Sequence, residues 1–137
     1  MVKELIHDPV FLALKSEEAT AADAQIANDL VDTLKSLKNK CVGLAGNMIG
    51  ELKRIIVVDD GAKYITMFNP EIIEAADEYE TEESCLSLLD GPRKTQRFRT
   101  IKVSYQTSDL RPRIKTFHGF TAQIIQHEID HCNGILI

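Results

Sequence analysis

The feature that most constrains this chain is Gln126-His127-Glu128-Ile129-Asp130-His131, set in a helical pattern running from about Thr121 to Cys132. A spacing of four residues puts both imidazoles on one helix face about one turn apart, where two ring nitrogens can reach one divalent ion. Glu128, beside the first histidine, then lies within reach of a water on that ion. Asn133-Gly134 stops the helix, because Gly takes the left-handed C-cap conformation without steric penalty. Only three residues follow Gly134, so a third ligand has to come from upstream, and the helix has to pack against whatever carries it. A catalytic site of this type needs three protein ligands and a position left for water. The residues alone leave His7, His118, Cys41, Cys85, Cys132 and the carboxylates as candidates for the third.

Upstream, Thr20 to Lys40 predicts a helix with Ile26, Leu30, Val31, Leu34 and Leu37 on one face and a capping-box-like start at Thr20 and Asp23. Arg54 to Asp59, Tyr64 to Phe68 and Thr100 to Gln106 read as strands; in the last, Ile101, Val103 and Tyr105 alternate with polar residues. Asp60-Gly61 and Ser108 to Pro112 supply turn chemistry. The expected fold is α+β: antiparallel or mixed strands around a central C-terminal helix, with the N-terminal amphipathic helix packed on the sheet, in one domain over residues 1–137. The acidic stretch Asp77, Glu78, Glu80, Glu82 and Glu83 reads as a solvated face, Glu83 excepted. The basic run Arg93, Lys94, Arg97, Arg99 and Lys102 reads as a solvated loop and strand.

Charge and cysteine usage exclude several classes. Lys and Arg number 16 against 21 Asp and Glu, so the basic excess that nucleic acid demands is missing. Apolar runs such as Ile55-Ile56-Val57-Val58 fall far short of the roughly 20 residues that span a bilayer. Met1 to Pro9 has an acid and a Pro where a signal peptide carries its apolar region, so no secretion signal is expected. Three widely spaced cysteines make a poor disulfide framework and point to a reducing cytoplasm. Cys41 and Cys132 read as small buried hydrophobes; His7 and His118 receive no role.

Two motifs narrow the choice. Glu83-Ser84-Cys85-Leu86-Ser87, followed about forty residues later by the Gln126 to His131 stretch, resembles the E-G-C-L-S and Q-H-E-x-D-H motifs of peptide deformylases. Cys41 to Gly50 resembles the first motif of that family, G-x-G-x-A-A-x-Q, in the right order and spacing. The resemblance implies Cys85, His127 and His131 as metal ligands and Glu128 as general acid and base, with the Leu86 N–H holding the oxyanion. It implies a peptide paired with backbone at Gly43 and a methionine side chain in an apolar pocket of Val42, Phe120 and Ile124. The implied cofactor is one divalent ion, Fe(II) in the cell, with Zn, Ni or Co able to take the same site. The implied partners are N-formylmethionyl nascent peptides, met in transient proximity to the ribosome without a basic C-terminal docking extension, and neither nucleic acid nor membrane. The products are formate and a free amino terminus.

The pattern breaks at Met48, where the family has a Gln whose amide donates to the oxyanion. Met cannot donate, and one such donor contributes about 2.7–4 kcal/mol. Two outcomes are open: the donor is missing, or the neighbouring Asn47 aims its amide at the same oxygen. Cys41 and Gly46 replace Gly and Ala, and Ser84 replaces Gly. Arg97 is expected to brace the site through Glu83 or Asp130. Two rival readings stand beside the first: a hydrolase of another N-acyl substrate, and a metalloprotein of low activity that captures peptide amino termini. Glu128 speaks against the second, since capture needs no general base.

Overall fold

Five strands in chain order, β1 (Gly43–Ala45), β2 (Ile55–Asp59), β3 (Tyr64–Cys85), β4 (Leu88–Gln106) and β5 (Pro112–His118), form one sheet with every neighbouring pair antiparallel. The computed structural model describes the backbone of all 137 residues and the side chains of all but residues 89 and 90. β2 is a continuous apolar run, the pattern of a strand covered on both faces. Ile55 to Val58 are accordingly fully buried, and two helices, α2 (Ala24–Ser36) and α3 (Gly119–Cys132), both pack on it. α3 also touches β1, β4 and β5, which makes it the central element; nine of its residues are buried, among them Gln126, His127, Glu128 and His131. It ends as expected: the Gly134 and Ile135 N–H groups donate back to His131 and Asp130 carbonyls, with Gly134 at φ 75°. Among the described residues no helix is long and apolar enough to cross a membrane.

The structure departs from the sequence pattern in four places. The first long helix stops at Ser36, not Lys40; Leu37 caps it, its carbonyl accepts from the Lys40 and Cys41 N–H groups, and Asn39 takes φ 74° as the chain turns into β1. A single-turn helix, α1 (Pro9–Leu12), is too short to show periodicity and is capped by the Asp8 side chain. The strands expected to end at Phe68 and begin at Thr100 are halves of longer ones. Asn69 at φ 53° makes a bulge that its amide secures to both backbone groups of Ala19, and β3 then continues to Cys85 beside β4. The acidic and basic stretches are the two strands of this ribbon, strand-paired with Glu82 opposite Lys94 and Glu83 opposite Arg93; the solvated reading fails at Arg97, which is buried beside Glu83. Finally, Pro112 opens β5 instead of closing a turn. β5 is an edge strand with only Phe117 buried, so its sequence carries no apolar alternation.

Candidate active site

The C-terminal end of β3 meets the second half of α3 and brings Cys85, His127 and His131 together, with one donor atom of each within 4.8 Å of the others. The two Nε2 atoms face one another at 3.1 Å. Two nitrogens each about 2.1 Å from a tetrahedral ion lie about 3.4 Å apart, so the pair suits a single small cation. Burial, with the neighbouring charges of His127 and Arg97, pushes His131 down to about 3, which keeps its imidazole neutral. Burial also opposes charge on His127, but hydrogen bonds to Cys85 and Glu83 and the charge of Glu128 outweigh it and push the group up to about 10. A cation entering the cluster therefore displaces a proton held there.

A layer of carboxylates and amides orients these groups. Glu83 Oε1 accepts from His127 Nδ1 at 2.8 Å, which turns Nε2 toward His131 as the nitrogen a cation would reach once its proton is displaced. Arg97 donates to both Glu83 oxygens and, through Nη1, to Asp130 at 2.7 Å, so it braces the site through both expected partners rather than one. Burial raises the Glu83 carboxyl, but hydrogen bonds from His127, Arg97 and Gln123 more than reverse this and hold it at about 2. Gln123 Nε2 donates to Glu83 at 2.8 Å, and its Oε1 accepts from Tyr79. Gln126 donates to the Phe98 carbonyl and accepts from the Phe98 N–H, both at 2.8 Å. Phe98 lies just beyond the last residue of β4 that β5 pairs, so this side chain stands in for the missing strand. Sequence reasoning gave Gln123, Gln126 and Tyr79 no role. The available signal was spacing: Gln123 stands one helical turn before His127.

Glu128 is buried and its Oε1 has no hydrogen-bond partner; burial pushes the carboxyl up to about 7. It stands against Gly43, where a Cβ would lie 2.7 Å from Ile124 and 2.9 Å from Glu128 Oε2, so only glycine lets β1 come this close. A cavity of about 310 Å³ opens there, lined by Val42, Gly43, Met48, Cys85, Leu86, Phe120, Ile124, His127 and Glu128. Val42 and Phe120 sit at its mouth, 40% and 64% exposed. Cys41 also lines the cavity and is half-buried, not buried as the sequence suggested. Its thiol donates to the Gly43 carbonyl, and burial pushes it up to about 12. Cys132 is fully buried and likewise pushed up to about 12.

Met48 faces the cavity, with its Sδ accepting the Ala45 N–H at 3.4 Å. Asn47 does not: its amide donates to the carbonyls of His131 and Leu12, on the far side of the loop. The amide is committed to holding α3 and α1, an arrangement that favours the missing-donor alternative over the substitute-donor one and places Asn47 away from the cavity lining. His7 binds the Ser87 carbonyl and His118 pairs with Thr100, both outside the ligand cluster.

Two imidazoles and a thiol beside a buried carboxylate, at the floor of a cleft in an α+β scaffold, are the equipment of a mononuclear metal hydrolase. A family model described as polypeptide deformylase matches residues 5–137. A peptide deformylase of Clostridium beijerinckii is 51% identical over 137 residues, covering 100% of each chain. Among solved structures, the Thermotoga maritima peptide deformylase superposes with a TM-score of 0.89 at 28% identity, over 99% of this chain and 95% of that one. A Met-Ala-Ser-bound class I type b peptide deformylase from Acinetobacter baumannii superposes at 0.87 with 30% identity, over 99% and 96%. The chain belongs to the polypeptide deformylase family.

Proposed function

We propose that this chain removes the formyl group from the N-formylmethionine of nascent peptides, adding one water and releasing formate and a free amino terminus. One observation carries the reading: the unpartnered Glu128 carboxylate is buried beside Cys85, His127 and His131, in a cavity walled by the open edge of β1. The Met-Ala-Ser peptide bound to the Acinetobacter baumannii neighbour supports a substrate of this kind.

Cys85 Sγ, His127 Nε2 and His131 Nε2 would hold a divalent ion, which would supply Lewis acidity toward a water and the formyl carbonyl. Glu128 takes a proton from the attacking water and passes it to the departing amine nitrogen, two tasks suited to a carboxyl near neutrality. The Leu86 N–H donates to the carbonyl oxygen as it gains charge. β1 lies at the edge of the sheet, and the Val42 carbonyl accepts the Asp59 N–H, so alternation turns the Gly43 backbone groups outward to pair with the peptide. Val42, Ile124 and Phe120 receive the methionine side chain.

In the cell the ion is Fe(II), and Zn, Ni or Co can replace it, since thiolate and imidazole accept all four. The chain works in the cytoplasm, close to ribosomes as formylated termini emerge. Formate release from formyl-Met-Ala-Ser by anaerobically prepared protein of measured metal content tests the reading. Metal-loaded protein that releases formate from no formyl-Met peptide would overturn it.

A further inference from the structure

The geometry points to Lys40 as a specificity-determining residue that selects an acidic side chain at the third position of the peptide. This rests on the deformylase reading and adds a preference to it. Gly43 lies level with the reacting end of the substrate, because it abuts Glu128. From there an extended peptide on the β1 edge can run in only one direction. Leu44 to Ile49 are all buried, so the way to solvent leads past Val42 and Cys41 to Lys40. Strand residues advance about 3.3 Å each. With methionine level with Gly43, the third residue of the peptide therefore comes level with Cys41, inside the reach of the Lys40 side chain.

Lys40 lines the cavity mouth and is exposed, at the tight turn that follows α2. Among the described residues no carboxylate lies within ion-pair distance of its ammonium group. On the opposite lip, Glu83 is committed to Arg97, His127 and Gln123, and exposed Glu82 is the strand partner of Lys94 across the ribbon. Lys40 thus presents an exposed positive charge at the β1 side of the exit.

The test compares kcat/KM of the metal-loaded enzyme for formyl-Met-Ala-Glu, formyl-Met-Ala-Ser and formyl-Met-Ala-Lys at low salt. Attraction of one exposed charge and repulsion of the other predict an advantage of about three- to tenfold for Glu over Lys, with Ser between, shrinking towards unity in 1 M salt as screening shortens to about 3 Å. Lys40→Glu should invert the order, and a ratio is insensitive to any change in absolute rate. Equal kcat/KM values, or an unchanged order in Lys40→Glu, overturn the proposal. If no formyl peptide is hydrolysed, the deformylase reading has failed on its own. Calorimetric titration with Met-Ala-Glu and Met-Ala-Lys then tests the lip separately, and equal affinities overturn it.

Discussion

Replacing Met48 by Gln should accelerate this enzyme. The Met48 side chain is 1% exposed, reaches the cavity, and ends in a thioether that accepts the Ala45 N–H at 3.4 Å. It offers a reacting carbonyl no donor, so in the proposed mechanism only the ion and the Leu86 N–H would hold the oxyanion. Gln is close to Met in length and shape, and its carbonyl oxygen can take over the Ala45 N–H while its NH₂ turns into the cavity. Restoring one oxyanion donor is worth about 2.7–4 kcal/mol, a hundred- to thousandfold in kcat. Imperfect placement reduces that, and a gain of about tenfold or more is the expected outcome. Burying an amide satisfied on one side only should lower stability by about 1–2 kcal/mol, read as a fall in Tm. The assay is steady-state formate release from formyl-Met-Ala-Ser with metal content matched between variants. Asn47→Ala is the control: its amide holds the His131 and Leu12 carbonyls, so the variant should lose stability far more than it loses turnover per bound metal. A Met48→Gln enzyme that folds, binds metal and turns over at the parent rate would refute the missing-donor argument.

Cys85→Ala should purify with far less metal, as measured by inductively coupled plasma spectrometry, because two imidazoles alone hold a divalent ion weakly. Cys41→Ala and Cys132→Ala should keep theirs, since neither thiol belongs to the ligand cluster. Glu128→Gln should retain metal and lose about a hundredfold or more in kcat, since the amide keeps the shape and cannot relay a proton; near-parent turnover would remove Glu128 from its role. Glu83→Gln should lower Tm with a distinctive pH dependence. The folded-state value of about 2 lies below the ordinary 4.5, so the Glu83 contribution is full above about pH 4.5 and disappears as pH falls towards 2. The Tm gap between parent and variant should be wide at pH 7 and close over that window, and a gap constant with pH would contradict the assignment.

Local patterns in the chain were enough to determine part of this protein. Helical spacing alone puts His127 and His131 on one face, Gly134 can end the helix because it tolerates φ 75°, and a continuous apolar run such as Ile55 to Val58 has to be covered on both faces. The motif resemblance selected Cys85 over His7, His118, Cys41, Cys132 and the carboxylates, a choice that spacing did not make. What stayed hidden depends on partners distant in sequence. The outer halves of β3 and β4 are a largely exposed ribbon rich in charged and polar residues, with no apolar face to impose alternation. β5 is hidden for the same reason. Whether Asn47 or Met48 faces the cavity was decided by the His131 carbonyl, 84 residues away, which claims the Asn47 amide. Gln126 and Gln123 acquire meaning only once Phe98 and Glu83 are brought beside α3. Hydrogen bonds between remote residues leave no periodic trace in the chain, because each depends on two backbones that folding alone brings within 3 Å of one another.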